Sequence, residues 1–430
     1  MKPHIKVFKF GGASVKDATG IRNVAEIISQ YNETPLAIVV SALGKTTNQL
    51  EEVLNAYYGN GDDIQAKLNS VKENHLAIIN ELFDESHEIY DLINDILIEI
   101  DWVLDEKPEQ EYDYIYDQLV SVGEMLSTRI VAAYLNEVGV AAQWLDARDV
   151  LLTDDTYREG QILWEQTEEN VDRQVLPILN SGKKVITQGF IGSTKDNQTT
   201  TLGREGSDFT AAIFSYCLNA EDMTIWKDVP GVLTADPRLF KNVQKLDRLS
   251  YKEAIEMTYY GANVIHPKTI KPLQNKNIPL YVKSFLAPAQ PGTYIGIEVE
   301  DHYPPIVVVE KNQSLLHFAR KDFSFVVEHH MADIFKLFAD LRIFVNMMRN
   351  TAISFTVCVP SVSDRIERLI SALEDDYKIT RDDGLELLTI RHYKEEVLDS
   401  ITKGKIILLE EKLRNTVQMV TKEVPLMERL

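Results

Sequence analysis

Cysteine is almost missing from this 430-residue chain, with only Cys217 and Cys358 present. Two thiols cannot build a disulfide framework, and without CxxC or Cys/His spacing they do not read as a zinc site. Both lie in apolar stretches and are expected in the core. Long apolar runs are absent too. Nothing approaches the roughly 18 consecutive apolar residues of a membrane span, and the opening MKPHIKVFKFGG lacks the apolar segment of a signal peptide. A cytoplasmic protein without a membrane partner is expected. Positive charge is in deficit: 45 Lys and Arg against 66 Asp and Glu leave a formal charge of −21, so nucleic acid would meet net repulsion. An anionic ligand would need cations concentrated locally, which directs attention to Lys and Arg beside glycines. The composition, 44% apolar and 26% charged, is that of a soluble globular chain, and the length suggests about three structural units.

Residues 5–10, IKVFKF, predict a strand, followed by Gly11-Gly12 and a helix over about 15–30 carrying Val15, Ile21, Val24, Ile27 and Ile28. After Pro35, LAIVVSAL is an unbroken apolar run of the kind buried on both faces of a parallel sheet. From about 49 to 139 strand signals are scarce and apolar residues recur at helical spacing, interrupted by Gly59-Asn60-Gly61 and Pro108, which predicts a helical insertion. Strand and helix alternate again from Val140, with VITQGF at 185–190, a helix from Asp208 to about Leu218 and TIWKDV at 224–229. The expected fold is α/β, an open, mostly parallel sheet sandwiched by helices over 1–303.

Glycine becomes scarce beyond Pro304-Pro305, leaving only Gly384 and Gly404, and the pattern changes to β-α-β-β-α-β over 304–383. A second, partial copy over 384–430 lacks its last helix. Two small α+β ferredoxin-like units in tandem are expected. Glu328-His329-His330 does not read as a metal site, because adjacent ligands point to different sides and no partner cluster is evident.

Three clusters could carry chemistry. In KFGGASV (9–15), Gly11 and Gly12 permit close backbone approach, Ser14 can cap the following helix with Asp17 three residues on, and Lys9 at the strand end can point its ammonium into the same space. Read alone, this is equally an ordinary βα turn. In TTTLGREGSDFTAA (199–212), Arg204 and Asp208 flank Gly206-Ser207 at a helix start. A guanidinium fork there suits a carboxylate or phosphate, and Asp208 could orient Lys9 or a magnesium ion. WKDVPGVLTADPR (226–238) runs a strand into a Pro230-Gly231 turn, the kind of loop that lines nucleotide sites in open sheets.

Together with VVSALGKTTN, SVGEMLS, VITQGFIGS, SYKEAIEMTYYGANVIHPKTI, NIPLYVKS and PGTYI, these segments follow one another in the order of the aspartate kinase family of the amino-acid kinase fold, which the chain resembles up to residue 295. The resemblance implies Mg²⁺- and ATP-dependent phosphorylation of the side-chain carboxylate of L-aspartate, feeding lysine, threonine and methionine synthesis. It implies that Lys9 bridges the phosphates, Asp208 orients it, and Gly11 and Gly12 approach the phosphates. Aspartate would be held by Arg204, with Ser41, Thr47, Glu124 and Ser207 nearby and Glu124 accepting its ammonium. Lys227, Asp228, Asp236, Arg238 and Asn263 would lie toward ATP. No protein metal ligands are implied, magnesium being bridged by the phosphates. A carboxylate nucleophile needs no general base, so the absence of His from the glycine clusters fits.

The chain departs from the family pattern at four positions. Ala13 stands for the usual Thr, Glu205 for the first Gly of GRGGSD, Lys227 for the Thr of WTDV, and Asn263 for the Lys of FGAKVLHP. Lys227 is expected to replace the cation missing at 263. The tandem region resembles ACT regulatory units, implying a lysine or threonine effector and a homodimer or higher homo-oligomer. RKDFSFVVEHH, however, lacks the glycine of the usual effector loop, which leaves a purely dimerising role open. About 125 residues follow Pro305, too few for a fused homoserine dehydrogenase, so a monofunctional enzyme is expected. The competing reading is a non-catalytic amino-acid sensor on the same fold. A kinase for another carboxylate, such as N-acetylglutamate, is poorly matched by SVGE and the ACT tail.

Overall fold

A computed structural model describes residues 4–423 except 60, 62, 106–109, 263–264, 298, 300–301, 323 and 326. The chain divides into two units. The first is Met1–Val232 with Lys245–Ile255 and Val264–Glu300; the second is Leu233–Gln244 with Glu256–Asn263 and Asp301–Leu430. Sequence pattern gave no sign that 233–244 and 256–263, placed within the expected 1–303 domain, join the second unit.

Strands of the first unit are β1 (Lys6–Phe10), β2 (Leu36–Val40), β3 (Ala142–Leu145), β4 (Lys184–Gln188), β5 (Ile191–Ser193), β6 (Thr199–Thr201), β7 (Asp222–Lys227), β8 (Arg248–Ser250), β9 (Leu280–Ser284) and β10 (Thr293–Gly296). Eight form one sheet in the order β3-β4-β2-β1-β7-β9-β10-β8, parallel except between β9 and β10, while β5 and β6 make a separate hairpin. The all-apolar β2 is buried on both faces, as a central parallel strand requires.

Helices α1 (Ala18–Ser29), α2 (Thr46–Tyr58), α3 (Ile64–Leu82), α4 (Ile89–Asp105), α5 (Tyr112–Val120) and α6 (Val122–Glu137) precede β3, and α7 (Trp164–Asn180), α8 (Gly206–Leu218), α9 (Tyr251–Tyr259) and α10 (Pro267–Lys276) follow it. The described residues of the expected insertion hold helices α2–α6 joined by turns, with no strand among them; Asn60 and Pro108 lie outside the described residues. Its last helix also serves the sheet. α6 packs on β2, β3 and β4, and its Leu126 and Ile130 share a core with Phe8, Phe10, Ile38, Val40, Ile186 and Trp226.

That core fixes side-chain direction. Phe8, Phe10 and Trp226 face α1 and α6, with Phe10 stacked on Trp226 at 5.8 Å. Strand alternation then turns Lys9 and Lys227 to the opposite face, which α8 covers. The start of α1 differs from expectation. A 3-10 turn occupies Gly12–Ser14, the helix begins at Ala18, and its cap is Asp17, whose Oδ1 accepts from Gly20 N at 2.7 Å. Ser14 instead donates to the Gly11 carbonyl.

The second unit contains β11 (Ile306–Arg320), α11 (Glu328–Asp340), β12 (Met347–Asn350), β13 (Ser354–Pro360), α12 (Ser363–Leu373), β14 (Tyr377–Arg391), α13 (Glu395–Thr402), β15 (Lys405–Lys412) and β16 (Thr416–Glu423). One antiparallel sheet, β12-β13-β11-β14-β16-β15, holds every strand. The expected boundary at 383/384 falls inside β14, and β11 is likewise shared: Ile306–Glu310 pairs with Leu387–Arg391, whereas Gln313–Arg320 pairs with 377–385. A bulge between these stretches separates a core under α11 and α12 from one under α13.

Lys184, at the buried start of β4, donates to the carbonyl oxygens of Tyr31, Asn32 and Thr34 at 2.8, 2.7 and 2.6 Å, closing the turn after α1. Lys184→Met keeps the stem and removes all three bonds. It should destabilise the protein by about 2 kcal/mol and lower the thermal midpoint by a few degrees; an unchanged midpoint would show that the ammonium is not structural.

Candidate active site

Because β1, β2, β4 and β7 run parallel, their C-terminal ends open at one edge of the sheet. The loops there are tied to one another by backbone. Ser41 N donates to Phe10 O at 3.0 Å, Gly44 N to Gly12 O at 3.1 Å, and Gly189 N to Val40 O at 3.0 Å. Two glycines are required by this closeness. A Cβ at Gly12 would sit 2.7 Å from Gly44 O, and one at Gly189 would sit 2.4 Å from the Cβ of Ser207.

Lys9 and Asp208 meet at this edge, with Nζ 2.6 Å from Oδ1, Asp208 buried and the Lys9 side chain 12% exposed. A Cβ on Gly11 would lie 3.4 Å from the same Nζ, so the ammonium stands over the glycine turn. Burial alone would push the Asp208 carboxyl up; Lys9 and Lys227 outweigh it and hold the group below the usual aspartate range. Lys227 therefore acts on Asp208 from the same sheet face as Lys9. Asp228, one residue on, is exposed.

Glu124 enters from the first turn of α6 and is 2% exposed. Its Oε1 accepts from Ala42 N at 3.4 Å, while Oε2 has no hydrogen-bond partner among the described residues. Burial pushes this carboxyl up to about 8, against the opposing pull of the Ala42 N–H and Lys9. Ser41, in the β2–α2 connection, and Thr47, in the first turn of α2, are both half-buried, and Ser127 Oγ donates to Ser41 O at 2.8 Å.

Arg204 is exposed on the loop entering α8, and Ser207 is buried against Gly189. Between them Glu205 has φ +55°, a left-handed conformation costing a non-glycine residue about 1 kcal/mol, which explains why glycine suits this position. Asp236 and Arg238 belong to the second unit, where they pair with each other, Nη2 to Oδ2 at 2.7 Å. Asn263 lies outside the described residues. Among the described residues no group of three or more His, Cys, Asp or Glu is placed to hold a metal ion.

Sequence reasoning missed Asp117 of α5. Its buried carboxylate accepts from Thr201 N, Thr201 Oγ1 and Arg158 N at 2.8, 2.7 and 2.9 Å, bracing the strand that leads to Arg204. An aspartate in an acid-rich helical stretch carries no spacing signal for this. Gly189 was visible as a glycine ending VITQG, but its partner Ser207 was not.

The model of the amino acid kinase family matches residues 4–284. The chain is 32% identical over 399 residues to lysine-sensitive aspartokinase 3 of Escherichia coli, covering 90% of this chain and 86% of that protein. It is 35% identical over 363 residues to chloroplastic aspartokinase 1 of Arabidopsis thaliana, covering 82% of this chain but spanning only 62% of that relative's length. The crystal structure of E. coli aspartokinase III in complex with aspartate and ADP is similar, with a TM-score of 0.83 at 28% identity, covering 97% of this chain and 96% of that one. The chain belongs to the amino acid kinase family, within its aspartokinase group. Among the described residues no helix is long and apolar enough to cross a membrane.

The Glu124 carboxyl yields a signed pH prediction. The folded chain keeps its proton up to about pH 8, whereas an unfolded Glu releases it near 4.5. Between those values the folded state binds more protons, so this group's contribution to stability is lost as pH rises. Glu124→Gln should flatten the fall in urea midpoint between pH 6 and 8.5. An equal fall in both proteins would show that Glu124 does not titrate there.

Proposed function

We propose that this chain is an aspartate kinase, transferring the γ-phosphoryl group of ATP to the side-chain carboxylate of L-aspartate to give 4-phospho-L-aspartate. The observation that carries the proposal is the Lys9–Asp208 pair, with Lys227 acting on the same carboxylate, beside a buried Glu124 with one oxygen unpaired. The bacterial neighbour's complex with aspartate and ADP supports the same substrates here.

The chemistry follows from these groups. The substrate carboxylate, with a reference pKa of about 3.9, is already a nucleophile at neutral pH. One of its oxygens bonds to the γ-phosphorus as the bond to the β–γ bridging oxygen breaks, and ADP leaves with that electron pair; no proton is transferred. What remains is to hold two anions together. Lys9, oriented by Asp208, neutralises the transferred group, and Lys227 supplies a second positive charge on its nucleotide side, offsetting the Asn at 263. Glu124 accepts the substrate ammonium through Oε2, and Arg204 holds the remaining carboxylate with Ser41, Thr47 and Ser207 around it. Gly11 and Gly12 admit the phosphates to the backbone. Magnesium would be held chiefly by the nucleotide, since the described residues offer no cluster of metal ligands, and would help neutralise the phosphate charge. For Asp228, Asp236, Arg238 and Asn263 the family resemblance alone supports a nucleotide-side role.

In the second unit we take Gln313–Asp383 as one ACT-like unit and Ile306–Glu310 with 385–423 as the other. The name of the lysine-sensitive relative supports lysine as effector, and a homo-oligomer formed through this unit and a cytoplasmic location belong to the same proposal.

The test is ADP release from Mg-ATP with and without L-aspartate, trapping the acyl phosphate as its hydroxamate. Aspartate-dependent hydroxamate is expected, and its absence from folded protein that binds ATP would overturn the reading. Lys9→Ala should cost at least about 10²–10³ in turnover, and Lys227→Thr should raise the Michaelis constant for ATP. A Lys9→Ala enzyme within a few-fold of wild type would remove that residue from the mechanism.

A further inference from the structure

On the flank of the first unit, α7, α8 and α10 enclose a cleft of about 360 Å³, within the size range of small-molecule sites. Its walls carry the rings of Trp164, Phe209 and Tyr216, with Trp164 and Tyr216 edge to face at 5.0 Å. Lys268, Lys271 and Asn275 of α10 supply the polar groups, and the 160–162 loop closes one end. No carboxylate lines it, although the chain carries 66 acidic residues. Glu168, which engages these walls through Lys276, is paired with it at 3.1 Å, and the Lys276 ammonium stands 3.8 Å above the Tyr216 ring. Lys268 and Lys271 have no ion-pair partner among the described residues. Three rings and two lysines without a counter-charge form an electropositive aromatic slot in a chain that is acidic elsewhere.

None of these lining residues belongs to the catalytic cluster. The cleft nevertheless touches its support: Phe209 follows Asp208 directly on α8, and His266, two residues before Lys268, lies in the field of Glu205, Arg204 and Glu159. A molecule seated there would press on the helix that presents Ser207 and Asp208.

We propose that this cleft is a second ligand site, for a planar aromatic anion whose ring lies among Trp164, Phe209 and Tyr216 and whose charge is held by Lys268 and Lys271. The site is independent of the kinase reading, so either can fail without the other.

Calorimetric titration of the full chain with 2-naphthalenesulfonate, with ADP, magnesium and L-aspartate saturating, tests it. One saturable site is expected in the wild type. Lys268→Glu with Lys271→Glu should weaken binding at least about tenfold, Trp164→Ala by about three- to tenfold, and the double arginine variant should retain it. Circular dichroism and thermal midpoints of the variants establish that they fold. Absence of saturable binding, equal affinity in the double glutamate variant, or equal binding of neutral 2-naphthalenemethanol would each overturn the proposal.

Discussion

The ion pair between Lys9 and Asp208 is the constraint around which the first unit is arranged. Neither charge is stable alone where it stands, because removing one member of a buried pair strands the other at a cost of about 3–5 kcal/mol. The pair exists only if a strand end and a helix start are brought close enough for Nζ and Oδ1 to meet at 2.6 Å, and that requirement reaches outward. α8 must lie on the sheet face opposite the Phe8, Phe10 and Trp226 core, Gly189 must leave room for Ser207, and Gly12 must let the β2 loop close over β1.

The same pair explains why two carboxyls a short distance apart behave oppositely. Asp208 has two ammonium groups acting on it and stays ionised. Glu124 is as deeply buried but is opposed only by the N–H groups of Ala42 and its own backbone and by the charge of Lys9, so burial wins and its proton is retained. One site thus holds a carboxyl kept ionised by its neighbours and another kept protonated by burial, which on the proposed function would ionise beside the substrate ammonium. This division suits a substrate carrying both charge signs.

Much of this was legible in the sequence wherever chemistry is local. Glycine after an apolar strand, Arg204 and Asp208 around a helix start, and the unbroken LAIVV run each have one structural reading once strung together. The face occupied by Lys227 follows from strand alternation only once Trp226 is seen in the core. Where partners are distant in sequence the signal vanished. Nothing near Asp117 marks it as the brace of Thr201, 84 residues away, and nothing at 233–244 assigns that segment to the second unit. At the start of α1 the expected Ser14 cap is taken into a 3-10 turn over Gly12–Ser14, and Asp17 itself caps the helix that begins at Ala18.

The shared strands of the second unit have a consequence for the order in which it can form during synthesis. Val307, Val308 and Val309 leave the ribosome early, yet the residues they pair with, Leu388 to Ile390, follow only after about 80 more residues. In the interval a three-valine segment has no sheet to join, while the stretch from Gln313 to Asp383 carries both strands and helices of its own and can close first. The bulge after Glu310 then acts as a seam at which a late-folding half is stitched onto an early one. Contacts of such long sequence separation are slow to close, and their unpaired edges are open to other chains meanwhile. The step most exposed to error in making this protein is therefore the capture of its 306–310 strand.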